Sequence, residues 1–220
     1  MTPARYARLR AILDRRQPDL TVLMDDLQKP HNVSAVIRTC DAVGVFEVHA
    51  VSSSASFTPK RSSAGGTGRY VPVRLHASTE AAISQLRSNG FRVLAAHLAP
   101  DARDFRSVDY TLPTAVLLGT EKDGVPPATE ALVDGSIVIP VLGAVTSLNV
   151  SVAAAVILYE AQRQRAAAGL YDAPRLEEAT CQQLLFEWGH RRLAEHCRRK
   201  GISYPRVGPE GEILDRIPRG

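Results

Sequence analysis

Polar side chains of the kind that bind ligands are gathered at one loop–helix junction. The segment Ile139 to Glu160, IPVLGAVTSLNVSVAAAVILYE, reads as a strand end, a Gly-containing polar loop and a long apolar helix. Thr146, Ser147, Asn149 and Ser151 sit where loop meets helix. A helix start leaves backbone N–H groups free and carries a partial positive charge, so it suits a polar ligand or a closely approaching loop. Capping of the helix by Ser147 or Asn149 is the alternative use of the same residues. A second group, Asn32, Arg38 and Asp41, lies in NVSAVIRTCDAV. Arg38 and Asp41 share a helix face by their spacing, and Asn32 precedes Arg38 by just under two turns. A guanidinium in an otherwise apolar helix needs a partner or an anion, because burying its charge alone is costly. A surface Arg38–Asp41 pair and a capping role for Asn32 are the alternatives. The third group is the turn Gly119-Thr120-Glu121-Lys122-Asp123-Gly124. Its glycines let backbone approach a ligand, and Glu121 can accept from a donor there; an ordinary charged turn is the alternative. His31, beside Asn32, is a candidate proton acceptor.

The elements that must hold these groups alternate between strand and helix. Pro3 to Arg16 reads as a short basic helix ended by Gln17-Pro18. Leu20 to Met24 is a strand, Asn32 to Val43 a helix stopped by Gly44, and Phe46 to Val51 a second strand. Ser52 to Tyr70, rich in Ser, Thr and Gly, is a surface loop by composition. Then come a strand at Val71 to Leu75, a helix at Ser78 to Ser88, the strand FRVLAAH, and the buried strand Thr114 to Leu118. A short helix at Thr129 to Val133, a strand at Ser136 to Ile139 and a long helix at Leu148 to Ala168 follow. Glu178 to Lys200 reads as one further helix. Short apolar strands alternating with helices predict an α/β fold with helices on both faces of a mostly parallel sheet. Ligands in such sheets lie beyond the carboxyl ends of the strands, which places the site among the loops at Lys29 to Asn32, Gly119 to Gly124 and Pro140 to Ser147. Neither GxGxxG nor GxxxxGK[ST] occurs, so the usual dinucleotide and P-loop signatures are absent.

With 220 residues, 45% hydrophobic and 23% charged, the chain is sized for one core domain with appendages. No apolar run is long enough for a bilayer, and the N-terminus has charges throughout, so a cytoplasmic location is expected. Cys40, Cys181 and Cys197 form no CxxC and suggest neither a disulfide framework nor a zinc site. The net charge of +4 is unevenly spread: +3 over residues 1–20, −2 over 21–160 and +3 over 161–220. Of the 27 basic residues 23 are Arg, whose planar fork suits phosphate, so the basic flanks point to nucleic acid. Solvated, salt-bridged helices are the alternative.

Taken together, N-x-S-A-x-x-R-T, L-L-G-x-E-x-x-G and I-P-x-x-G-x-x-x-S-L-N-V-S-V-A resemble, in order and spacing, the three motifs of the SpoU/TrmH branch of the SPOUT methyltransferases. RRQPDLTVLMDDLQKPHNVSAVIRTCDAVGV and LYEAQRQRAAAGLYD are similar to the tRNA ribose 2′-O-methyltransferases of that branch, which act on guanosine 18 of the D-loop. The resemblance implies a C-terminal trefoil knot, a homodimer, and S-adenosylmethionine as the methyl donor, with S-adenosylhomocysteine as product and no metal. It implies a basic N-terminal helix over 1–18, the methyltransferase domain over 19–169 and a C-terminal helical extension and tail over 170–220. Arg38 and Asn32 match the catalytic positions; Leu98, Gly119, Glu121, Ile139, Ser147, Leu148 and Asn149 match the cofactor pocket. Arg5, Arg8, Arg15, Arg16, Arg163, Arg165 and Arg175 are expected to hold tRNA phosphates. Val141, Ala144 and Cys40 depart from residues common in the family. An rRNA ribose methyltransferase of the same family and a non-catalytic RNA-binding relative are the other functions compatible with these motifs.

Overall fold

Apolar alternation at the period of two puts Val22 and Met24 of the first strand on one face and Leu23 on the other, and both faces are buried. The same two-sided burial recurs along the chain, and in the computed structural model it builds a seven-stranded, wholly parallel sheet. The structure describes residues 1–52, 70–120 and 124–215. Strands β1 (Leu20–Asp25), β2 (Val48–Val51), β3 (Val73–His76), β4 (Arg92–Ala96), β5 (Arg103–Asp104), β6 (Thr114–Leu118) and β7 (Gly135–Val138) lie in the order β3-β2-β1-β6-β4-β7-β5. The order reverses between β1 and β6, whose register runs from Leu20 opposite Thr114 to Met24 opposite Leu118.

Helices cover both faces. Besides α1 (Pro3–Leu13), the chain forms α2 (Pro30–Ala42), α3 (Thr79–Ser88), α4 (Pro127–Glu130) and α5 (Val150–Ala167). Val33, Val36, Ile37 and Cys40 of α2 and Ala154, Ile157, Leu158 and Ala161 of α5 join one core with Val22, Met24, Val116 and Leu118. Ala82, Ile83 and Leu86 of α3 build the second core with Leu23, Val93, Ala115 and Leu117. The expected α/β architecture is therefore present. Ser78 caps α3 by accepting from Ala81 N at 3.2 Å, and Asn89-Gly90, with Gly90 at φ +82°, ends it.

Two differences from the sequence reading have local causes. The helix expected over Glu178 to Lys200 is two helices, α6 (Glu178–Gly189) and α7 (Arg191–Lys200), because His190 leaves the helical region at φ −126°, ψ 49°, after the poor helix former Gly189. The edge strand β5 is only two residues long, too short to leave a pattern, and is followed by a 3₁₀ turn at Phe105–Ser107.

The chain divides into two compact units, residues 17–170 and a second one formed by residues 1–16 with 171–220. The terminal segments, separate in sequence, thus share one unit. There Arg10 bonds Asp14 and Glu178, Arg5 donates to the Trp188 carbonyl, and Phe186, Ala194, Cys197 and Val207 form a small core. Among the described residues no helix is long and apolar enough to cross a membrane.

Candidate active site

Parallel strands direct their carboxyl ends, and the loops that follow, to one edge of the sheet. The loops after β4, β6 and β7, three neighbouring strands, enclose a cavity of about 500 Å³. His97 and Leu98 line it from the first loop, Gly119, Thr120 and Gly124 from the second, and Ile139, Val141 and Thr146 to Asn149 from the third; Lys29 closes it from the start of α2. Its size falls within the roughly 300–1,000 Å³ of small-molecule sites, and its lining mixes aliphatic with hydroxyl and amide groups.

The second loop shows why its glycines are there. Thr120 N donates to the Gly124 carbonyl at 2.9 Å and Gly124 N to the Thr120 carbonyl at 3.2 Å, so the chain doubles back on itself. A Cβ on Gly119 would stand 2.3 Å from the Gly124 carbonyl oxygen, and Gly124 itself has φ +68°. Neither position accepts an ordinary side chain without moving backbone. Glu121, with Lys122 and Asp123, lies outside the described residues.

At the start of α5 one side chain does two jobs. Asn149 Oδ1 accepts from Ser151 N at 2.9 Å and from the Ser151 hydroxyl at 2.7 Å, which caps the helix. Its Nδ2 donates to Asn32 Oδ1 at 3.3 Å, which ties the cavity rim to α2. Ser147 is exposed on the rim and is not the cap. Asn32 is no cap either: Lys29 holds that position on α2, and Asn32, 2% exposed, is buried behind the cavity. Arg38 stands exposed on α2 with no hydrogen bond or ion pair among the described residues, so the Arg38–Asp41 pair does not form. The structure therefore gathers Leu98, Gly119, Ile139, Ser147, Leu148 and Asn149 around one cavity, joins Asn32 to it through Asn149, and leaves Arg38 and His31 off its wall.

Sequence reasoning missed His97 in the wall. His97 follows β4 directly and its N–H donates to the Ile137 carbonyl at 3.0 Å, so its place at a carboxyl end was the available signal.

Two of the arginines expected on phosphate are spent inside the protein, which is a correction. Arg165 is fully buried: its Nε donates to the Tyr110 carbonyl at 2.9 Å, Nη1 to Asp19 Oδ1 at 2.6 Å and Gln17 Oε1 at 3.0 Å, and Nη2 to the Asp19 carbonyl at 3.1 Å. Arg16 is 1% exposed. Arg163 is exposed but paired with Glu160 at 2.8 Å, Arg5, Arg8 and Arg15 are exposed, and Arg175 is half-buried.

Away from the cavity, His49 Nδ1 and His76 Nε2 share a hydrogen bond of 2.8 Å between β2 and β3. Burial, aided by His76 and Arg74, pushes His49 down to about 4. Burial also raises the Asp25 carboxyl, opposed by the Thr79 hydroxyl donating at 2.6 Å.

A parallel sheet with a cavity at its strand ends, walled by glycine-pinched and polar loops, defines a small-molecule-dependent α/β enzyme, and the sequence places it further. It matches the model of the SpoU rRNA methylase family over residues 19–159 and that of the SpoU rRNA methylase C-terminal region over residues 163–216; the chain belongs to the SpoU methylase family. It is 52% identical to the tRNA (guanosine(18)-2′-O)-methyltransferase of Escherichia coli over 97% of this chain and 94% of that protein. Against the enzyme of the same description from Thermus thermophilus it is 55% identical over 85% of this chain and 96% of the relative. Among solved structures it is similar to a TrmH/SpoU tRNA modifying enzyme of A. aeolicus, with a TM-score of 0.81 at 38% identity, over 86% of this chain and 97% of that one. The SpoU methyltransferase AviRb of Streptomyces viridochromogenes, solved in complex with the cofactor AdoMet, aligns with a TM-score of 0.61 at 27% identity, over 70% of this chain and 62% of its own.

Proposed function

We propose that this chain transfers a methyl group from S-adenosylmethionine to the ribose 2′-hydroxyl of guanosine 18 in tRNA. The observation that carries this reading is the cavity at the ends of β4, β6 and β7, fastened by the Asn149–Asn32 bond to the helix that bears Arg38. The high identity to tRNA (guanosine(18)-2′-O)-methyltransferases over nearly the whole chain supports the substrate.

The cavity suits the donor. Leu98, Ile139 and Leu148 offer apolar contact, Thr120, Thr146, Ser147 and Asn149 offer polar groups, and Gly119 and Gly124 allow backbone to come close. When bound, the donor supplies a methyl group already activated by the positive charge of its sulfonium. The chain's own part is to hold and polarise the acceptor. Arg38 is an exposed guanidinium uncommitted to any described residue, and it cannot serve as a base near neutral pH. Its role is to grip a phosphate beside the target and orient the hydroxyl, an effect of position and field rather than proton abstraction. Asn32, held by Asn149, sets the helix that presents Arg38.

Because Arg38 stands off the cavity wall, a second copy of the chain has a place in the proposal. Leu142, at 102% exposure, and the exposed Val145, Leu148 and Val152 form an apolar patch beside the cavity loop, which a homodimer would cover. The knot implied by the family resemblance belongs to the same loops. Arg5, Arg8, Arg15, Arg163 and Arg175 remain candidates for sequence-independent contacts with tRNA phosphates.

The test is transfer of labelled methyl from S-adenosylmethionine to a tRNA transcript, to the same tRNA with a 2′-deoxy residue at guanosine 18, and to ribosomal RNA. Label in the first alone is expected. Label in ribosomal RNA with none in tRNA would replace this reading by the rRNA one, and binding of tRNA without any transfer would leave a non-catalytic RNA-binding protein.

A further inference from the structure

Arginines of this chain divide into those already matched by an acid and those that are not. Arg10 is held by Asp14 and Glu178, Arg106 by Asp104, Arg163 by Glu160 and Arg206 by Asp215. On α7, in contrast, Arg192, Arg199 and Lys200 make no hydrogen bond or ion pair with any described residue. The helix carries five cations, Arg191, Arg192, Arg198, Arg199 and Lys200, against the single acid Glu195. Ala194 and Cys197 are buried in the small core with Phe186 and Val207, which fixes the inner face. Arg192 and Arg199 lie seven residues apart on the opposite, exposed face, about 10.5 Å along the axis at the usual helical rise.

Helix electrostatics explains only part of this. A cation is favoured in the last turn, which accounts for Arg199 and Lys200, but disfavoured in the first. Arg191 and Arg192 are both in the first turn; Glu195 accepts from Arg191 at 3.2 Å, whereas Arg192 has no acid among the described residues. An unmatched cation at the positive end of a helix is unfavourable until an external anion meets it. We propose that the outer face of α7, with Arg192, Arg199 and Lys200, is a ridge that binds the phosphate backbone of tRNA. It takes the part that the buried Arg16 and Arg165 cannot play. A guanidinium fork meets two phosphate oxygens at once, and such contacts give affinity and salt dependence without reading bases. The inference rests on tRNA being the substrate.

The experiment titrates tRNA onto the full-length protein over a series of salt concentrations, with S-adenosylmethionine affinity measured separately by calorimetry. Arg192→Gln/Arg199→Gln/Lys200→Gln should lower tRNA affinity at least about tenfold at low salt and reduce the slope of log K against log salt by about two, since each lost phosphate contact removes about 0.7–0.9. Cofactor affinity should not change. Arg192→Lys/Arg199→Lys, which keeps the charge, should retain the slope. Glu195→Gln removes the one acid of α7 and releases Arg191, so it should tighten binding and steepen the slope, a gain that misfolding cannot produce. An unchanged slope in the triple Gln variant, or unchanged binding in Glu195→Gln, overturns the ridge. Wild-type protein that binds no tRNA at all overturns the substrate reading first, and the ridge with it.

Discussion

The two units of this chain use the same residue type in opposite directions. Residues 17–170 hold ten Arg and three Lys against fourteen acids, a net charge of −1, and there Arg165 is turned inward and wholly consumed by Asp19, Gln17 and backbone carbonyls. Residues 1–16 with 171–220 hold thirteen Arg and one Lys against nine acids, a net of +5, and there α7 presents Arg192 and Arg199 outward without partners among the described residues. In the reaction proposed above, catalysis and cofactor binding fall to the nearly neutral sheet unit, and long-range attraction for a polyanion to the other. An arginine count therefore points to the unit proposed to meet nucleic acid but not to the arginines that would do so.

The strongest way to break that contrast is Arg165→Ala. It removes the buried guanidinium that bonds the Asp19 carboxylate, Gln17 and several carbonyls, and should cost about 3–5 kcal/mol in chemical denaturation. A loss below about 1 kcal/mol, the range of an exposed pair, would mean that Arg165 is not the staple described here. Arg38→Ala should lower methyl transfer by about 10²–10³-fold with stability and cofactor affinity nearly intact, the size typical of a removed transition-state contact; single-turnover assays against thermal melts separate the two. Arg38→Lys should also be poor, since it lacks the fork. The pH response comes next. His49 titrates near 6.5 when unfolded and at about 4 in the native protein, so between these values the unfolded state takes the proton that the native state refuses. Its contribution is full above about pH 6.5 and declines by roughly 2–3 kcal/mol as pH falls towards 4. His49→Gln should flatten that part of the stability profile, and an unaltered profile would assign the acid sensitivity to other groups. The smallest effect is expected from Arg163→Ala, whose exposed pair with Glu160 should be worth under about 1 kcal/mol in the same denaturation assay.

Much of this architecture is legible before any coordinates. Runs such as Ala115 to Leu118 are apolar throughout because both faces of a parallel sheet are covered, and the loops after such strands are where a candidate cavity is expected and found. Asn149 shows where that reading stops. Capping and site architecture looked like competing uses, yet its Oδ1 caps α5 while its Nδ2 reaches Asn32, because an amide has both an acceptor and a donor end. Arg163 and Arg165 are two residues apart on one helix, and only the packing of α5 against residues 17–19 and 110–112 decides that one is wet and the other dry. Burial of that kind is a property of partners distant in the chain, so no local pattern carries it. The break at His190 and the two-residue β5 escaped for the converse reason, being too local to leave a period.

The Arg165–Asp19 bond spans 146 positions of sequence, and β1, in the middle of the sheet, pairs with β6 from much later in the chain. During synthesis, Asp19 emerges early, long before Arg165 of α5 has left the ribosome. The sheet unit thus waits on partners made late: β1 gains its neighbour β6, and Asp19 its bond to Arg165, only after most of the unit has been synthesised. A truncation before Arg165 would leave a chain with all seven strands but without the bonds of Arg165 to Asp19 and Tyr110 or the end of α5, a form exposed to aggregation and to proteolytic quality control.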